Sequence, residues 1–135
     1  MIRIMGILTL CTMVAACASA PPPVRTLNPP VGTTADAARA VEEGNRLFAA
    51  GQFESAKGQY EMAVNAQPSL AEAHYDLALA MEKLGNQQAA YKHYIEAADL
   101  APGNKVIWNA PPLRRYGLMD ERKLKDKSYL DAKPQ

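Results

Sequence analysis

The chain has 135 residues, enough for one domain, and a formal net charge of +1. That small sum hides two opposite ones: residues 35–104 carry five Lys or Arg against ten Asp or Glu, a net of −5, whereas 105–135 carry eight against four, a net of +4. With two cysteines the chain cannot be a disulfide-dense scaffold.

Arg3 gives a short positive start, and residues 4–16 are apolar apart from Thr9 and Thr12. A bilayer core needs about 20 apolar residues in helix and a signal-peptide core roughly 7 to 15, so residues 1–16 read as an export signal rather than a span. Within it, Val14-Ala15-Ala16-Cys17 resembles the bacterial lipobox, in which a branched apolar residue and two small ones precede the cysteine that takes a diacylglycerol. The small residues let a peptidase reach the bond before Cys17, whereas Cys11 follows Leu10, too bulky for that role. Cleavage as an ordinary signal peptide is the alternative. Ala18-Ser19-Ala20 would put the ring of Pro21 just past the cut, which leaves Ala16-Cys17-Ala18 before Ser19. The lipobox resemblance implies palmitate-type lipidation and membrane attachment at Cys17. With Ala18 in place of the aspartate associated with inner-membrane retention, it also implies the periplasmic face of an outer membrane where the organism has one. Cys11 then leaves with the signal and Cys17 is acylated, so no thiol remains for a disulfide or a metal and the fold holds by packing alone.

Residues 17–34 follow as a lipidated cysteine and a tether, with five prolines (Pro21, Pro22, Pro23, Pro29, Pro30) and little that is apolar. At about 3.1 Å per residue a polyproline-type segment of this length reaches roughly 50 Å from a bilayer. A plain spacer is preferred to a proline-rich ligand.

The next region repeats. Residues 37–70 laid over 71–104, an offset of 34, align Ala37 with Ala71, Gly51 with Gly85, Ala56 with Ala90, Tyr60 with Tyr94, Ala63 with Ala97 and Pro68 with Pro102. Each block reads as two helices, 37–50 with 53–66 and 70–84 with 87–100. The glycines fall in the turns, where a left-handed conformation is needed. Ala56, Ala63, Ala90 and Ala97 let paired helices close up, Tyr60 and Tyr94 fill the space above, and the prolines end each block. Ser69-Leu70-Ala71-Glu72 reads as a capping box for the third helix, and residues 33–36 as a weaker one for the first.

On these residues the chain resembles the tetratricopeptide repeat (TPR) family, whose unit is a 34-residue helix pair. Ala40 and His74 stand where the family favours Trp, Glu43 where it favours Leu, and Gln87 where it favours an aromatic. The resemblance implies an all-α fold: two TPR hairpins (37–70 and 71–104) of an α-solenoid within residues 35–104, then a partial third-repeat cap and a basic tail in 105–135. It implies a binding scaffold, no enzyme and no cofactor. The first helix of each pair would line a concave face for a protein or peptide partner. Its residues would be Ala38, Val41, Glu42, Asn45 and Phe48 from one repeat, and Glu72, Tyr75, Asp76, Leu79 and Lys83 from the other. The family's carboxylate clamp needs cations at several of these places and only Asn45 matches, so that ligand is rejected.

His74, His93, Asp76 and Asp99 form no catalytic or metal constellation: the histidines stand on different helices, His74 expected between helices and His93 toward solvent. Nucleic acid is excluded as the partner of an exported, lipid-held chain. Two functions remain. The first is an envelope adaptor that recruits another exported protein, as similar lipoproteins do in pilus, secretion, polysaccharide-export or outer-membrane assembly machines. The second is a structural module whose groove is filled by its own tail or by a second copy in a homo-oligomer.

A third repeat begins with Trp108, 34 residues after His74, but Pro111 and Pro112 should stop its helix near Asn109. Asn104 is expected to cap a single turn that packs Val106, Ile107 and Trp108 onto the open face of residues 87–100. An extended stretch over 110–117 and a short charged helix within 119–129 should follow.

Overall fold

The computed structural model describes residues 24–111 and residue 113. The export signal, Cys17, the start of the proline-rich stretch and the charged helix expected within 119–129 lie outside the described residues. The helices are α1 (Ala35–Ala49), α2 (Phe53–Ala66), α3 (Ala71–Lys83), α4 (Gln87–Leu100) and α5 (Lys105–Trp108), with no strand among the described residues. α2 and α4 span the expected residues end to end, and α1 and α3 differ by one or two residues at their ends. No described helix is long and apolar enough to cross a membrane.

The two hairpin turns are the same structure. Gly51 takes φ +74°, its N–H bonds the Phe48 carbonyl, and the Gln52 N–H reaches back to Leu47; Gly85, at φ +83°, bonds Glu82 while Asn86 reaches Met81. This pairing of the last helical carbonyls requires a left-handed residue, which glycine supplies without a Cβ clash. Inside each hairpin, Ala56, Ala63, Ala90 and Ala97 are buried, and Tyr60 and Tyr94 are wholly enclosed beside them.

α2 packs against α3 and joins the two hairpins, and α1 also meets α3. The central α3 is therefore enclosed on nearly every side, with ten of its thirteen residues buried, so it shows no solvent stripe.

Two caps differ from expectation. Leu70, not Ser69, stands at the N-cap of α3, and no side chain bonds the free N–H groups there. Leu70 is 2% exposed between the hairpins; burying it outweighs the capping hydrogen bond that a start at Ser69 would give. At α1 the cap is Thr34, accepting from the Ala37 N–H, while the Thr33 hydroxyl closes instead on the Pro30 carbonyl at 2.7 Å.

The cap beyond α4 forms, with a different residue at its centre. Asn104 accepts from the Val106 and Ile107 N–H groups and starts α5, which ends at Trp108 with Asn109 as its C-cap. Ile107 is enclosed with Ala110 and Leu113, whereas Val106 is half exposed and Trp108 only partly buried, its indole N–H donating to the Ala101 carbonyl at 3.1 Å. A single helical turn can aim only one side chain squarely at α4, and the indole is held at the rim by its hydrogen bond. Of the stretch expected to be extended, Pro111 and Leu113 are helical, while residue 112 and residues 114–117 lie outside the described residues. Proline suits a first helical turn, where its missing N–H would be unbonded anyway.

Candidate functional site

The face shared by α1 and α3 is occupied. Residues 24–28, read from sequence as free spacer, lie across it, and the main chain of Leu27 is held on both sides. Its N–H donates to Asp76 Oδ1 at 2.8 Å, and its carbonyl accepts from Asn45 Nδ2 at 2.8 Å. Asn45 is itself fixed, because its Oδ1 accepts from the Tyr60 hydroxyl at 2.8 Å while Nδ2 also approaches Asn28 Oδ1. The Leu27 side chain packs against the core. Gly44 makes this arrangement possible, since Tyr60 lies directly over the place where a Cβ would stand.

Burial sets the electrostatics. Asp76 is wholly enclosed, which pushes its carboxyl well above the usual carboxylate range; the Leu27 N–H opposes this, and Glu72 adds to it. Its Oδ2 has no hydrogen-bond partner. Burial, then the Asp76 charge, raises the Tyr60 hydroxyl, and burial followed by Asp76 and Glu82 pushes Tyr75 up to about 12. Tyr60 therefore stays a proton donor to Asn45 at neutral pH.

Of the residues expected to line the partner face, Val41, Tyr75, Asp76 and Leu79 are buried, Asn45, Phe48 and Glu72 (like Ala38) are partly covered, and Glu42 and Lys83 are exposed. Tyr75 belongs to the core of the second hairpin, edge-on to Tyr94 with ring centroids 5.7 Å apart. Beside the docked segment lies an open pocket of about 570 Å³, walled by Phe48, Phe53, Gly51 and Lys83 and by Val24, Arg25 and Thr26. Phe48 and Phe53 meet edge to face at 5.1 Å. Sequence reasoning missed Leu27, which stands with Val24 and Val31 among the few large apolar residues of the proline-rich stretch. It also placed Asp76 on an open surface, although the run His74-Tyr75-Asp76-Leu77-Ala78-Leu79 sets one charge inside an apolar helix.

The histidines, expected apart, form a pair. His74 Nδ1 and His93 Nδ1 are 3.1 Å apart with stacked rings, and His74 Nε2 lies 3.0 Å from the Pro68 carbonyl. That carbonyl can only accept, so a neutral His74 carries its proton on Nε2 and accepts from His93 at Nδ1. His93 is half-buried rather than turned to solvent.

A family model described as TPR repeat matches residues 44–85, from the second half of α1 to the turn after α3. The match supports the TPR family, and the consecutive helix hairpins are consistent with a fragment of an all-α TPR solenoid. Repeats of this family are protein-interaction scaffolds and typically non-catalytic. No curated protein and no solved structure matches the chain.

Proposed function

We propose that the chain is a lipid-anchored adaptor: Cys17 ties it to the periplasmic face of an outer membrane, and its α1–α3 face recruits a segment of another exported protein into an envelope assembly, secretion, pilus or polysaccharide-export complex. One observation carries the binding part, namely that Asn45 and Asp76 grip both the N–H and the carbonyl of a single residue. Such a grip reads main chain, so any extended segment with a fitting side chain can satisfy it. The anchor rests on the sequence Val14-Ala15-Ala16-Cys17.

A self-associating structural module is the second reading. It is favoured by the fact that the face is filled by the chain's own residues, although these come from the N-terminal side rather than from the basic tail. Crosslinking in intact membranes followed by purification separates the two. The adaptor yields a defined exported protein whose recovery depends on Asn45, and self-crosslinks alone would sink it. Cys17→Ser should release the chain from the membrane fraction and abolish labelling by a palmitate analogue; a labelled, membrane-bound Ser variant would overturn the anchor.

A further inference from the structure

We infer that residues 24–28 are an intramolecular ligand, seated where the partner's segment binds, and that the partner is an extended segment with an apolar residue in the place of Leu27 and a lysine or arginine beside it. This rests on the α1–α3 face being the partner site.

The grip on Leu27 is generic, since an N–H to Asp76 Oδ1 and a carbonyl to Asn45 Nδ2 are offered by any residue except proline. The occupant is also a poor match for the site. It brings one partly buried apolar side chain, while Val24, Arg25 and Asn28 remain exposed. It reaches Asp76, which is wholly buried, yet bonds only one of its two carboxylate oxygens. A buried carboxylate with an unpaired oxygen is costly, and Glu72 adds like charge on the same helix. A ligand that brings a second donor, above all a cationic one, relieves both defects. Residues 35–104 carry the acidic excess that draws such a ligand in.

The attachment lets the occupant leave without unfolding a helix. Between Leu27 and the Thr34 cap the chain makes one turn, closed by the Thr33 N–H to the Pro30 carbonyl with Gly32 at φ +95°; Leu27 packs on the core cluster, Pro29 and Thr33 are partly buried, and the Thr34 N–H donates to Gln67 Oε1 at 2.8 Å. The open pocket against Phe48 and Phe53 continues the groove past residues 24–26, so an incoming segment has a foothold before the exchange is complete.

The test uses the full chain, a Leu27→Asp variant that sets a carboxylate against Asp76, and a fluorescein-labelled peptide of residues 24–30, followed by anisotropy. Apparent affinity falls in proportion to the fraction of chains whose groove is free, so with about nine grooves in ten occupied the Leu27→Asp chain should bind the peptide at least about tenfold tighter than wild type, with circular dichroism unchanged. The same peptide with N-methyl-leucine at position 27 should lose binding, and one with Asn28→Lys should bind tightest. Equal affinity of the two chains overturns the occupant but leaves the groove a binding site. No binding to the Leu27→Asp chain overturns occupant and groove together. Lysine that gives no gain overturns the cationic partner. A wild-type dimer dissolved by Leu27→Asp would show that the segment is exchanged between copies, and it too overturns the inference.

Discussion

Gly44 and Tyr60 are in contact so close that a methyl group on Gly44 would stand 2.7 Å from the ring's Cδ1 and closer still to Cε1. The ring has nowhere to go, because Tyr60 is wholly buried and its hydroxyl is bonded to Asn45. Gly44→Ala should therefore destabilise the chain. Overpacking costs about 1–3 kcal/mol, and the helix propensity of alanine returns about 1, leaving a net loss of up to about 2 kcal/mol in urea unfolding. A Gly44→Ala chain as stable as wild type would mean that the ring can move aside.

Gly85→Ala separates backbone strain from crowding. A Cβ there meets nothing within 4 Å, so the whole cost is the left-handed φ of +83°, roughly 1–2 kcal/mol. Gly85→Asn, which tolerates that conformation better, should recover part of the loss in the same unfolding measurement.

The cap gives a comparison between neighbours. Ile107 is fully enclosed against α4, so Ile107→Ala should cost about 2–5 kcal/mol. Trp108 is larger but only partly buried, so Trp108→Ala should cost less than Ile107→Ala despite removing more atoms. Thermal unfolding of the two variants ranks them directly. A tryptophan variant that melts first would return the indole to the centre of the cap.

Why the hairpins were legible and the site only in part, with Asn45 and Asp76 named but their occupant missed, follows from what each part asks of the sequence. A glycine at positive φ, an alanine at a close helix crossing and a tyrosine filling the gap above it are dictated by residue type, so Gly51, Ala56, Tyr60 and their counterparts announce themselves at a spacing of 34. The grip on Leu27 reads main chain, which leaves no side-chain signature in the bound segment. Placing the partner face by family geometry assumed an α3 open on one side, whereas Tyr75 and Leu79 are enclosed in the core and residues 24–28 cover Asp76. The His74–His93 contact crosses the second hairpin, and only the rough symmetry of the two residues about Gly85 hints at it.

The same buried groups give the stability two opposing pH dependences. His93 has its pKa lowered, first by burial and then by the neighbouring His74, while Glu61 and Glu96 oppose and Lys92 assists. The unfolded histidine binds its proton near 6.5 and the folded one only at lower pH, so this contribution is complete above about 6.5 and is lost as pH falls below it. Asp76 runs the other way. Its raised pKa means that the folded chain keeps a proton the unfolded chain gives up near 3.8, so its contribution is complete below that value and is lost as pH rises through the folded pKa. Urea unfolding from pH 4 to pH 8 should resolve the two. His93→Gln should flatten the fall in stability on acidifying below pH 6.5 and leave the alkaline side as in wild type. Asp76→Asn should remove the decline on raising the pH while keeping an acceptor for the Leu27 N–H. If Asp76→Asn leaves the profile unchanged, the carboxyl titrates at its ordinary value, and residues 24–28 do not shield it from water in solution.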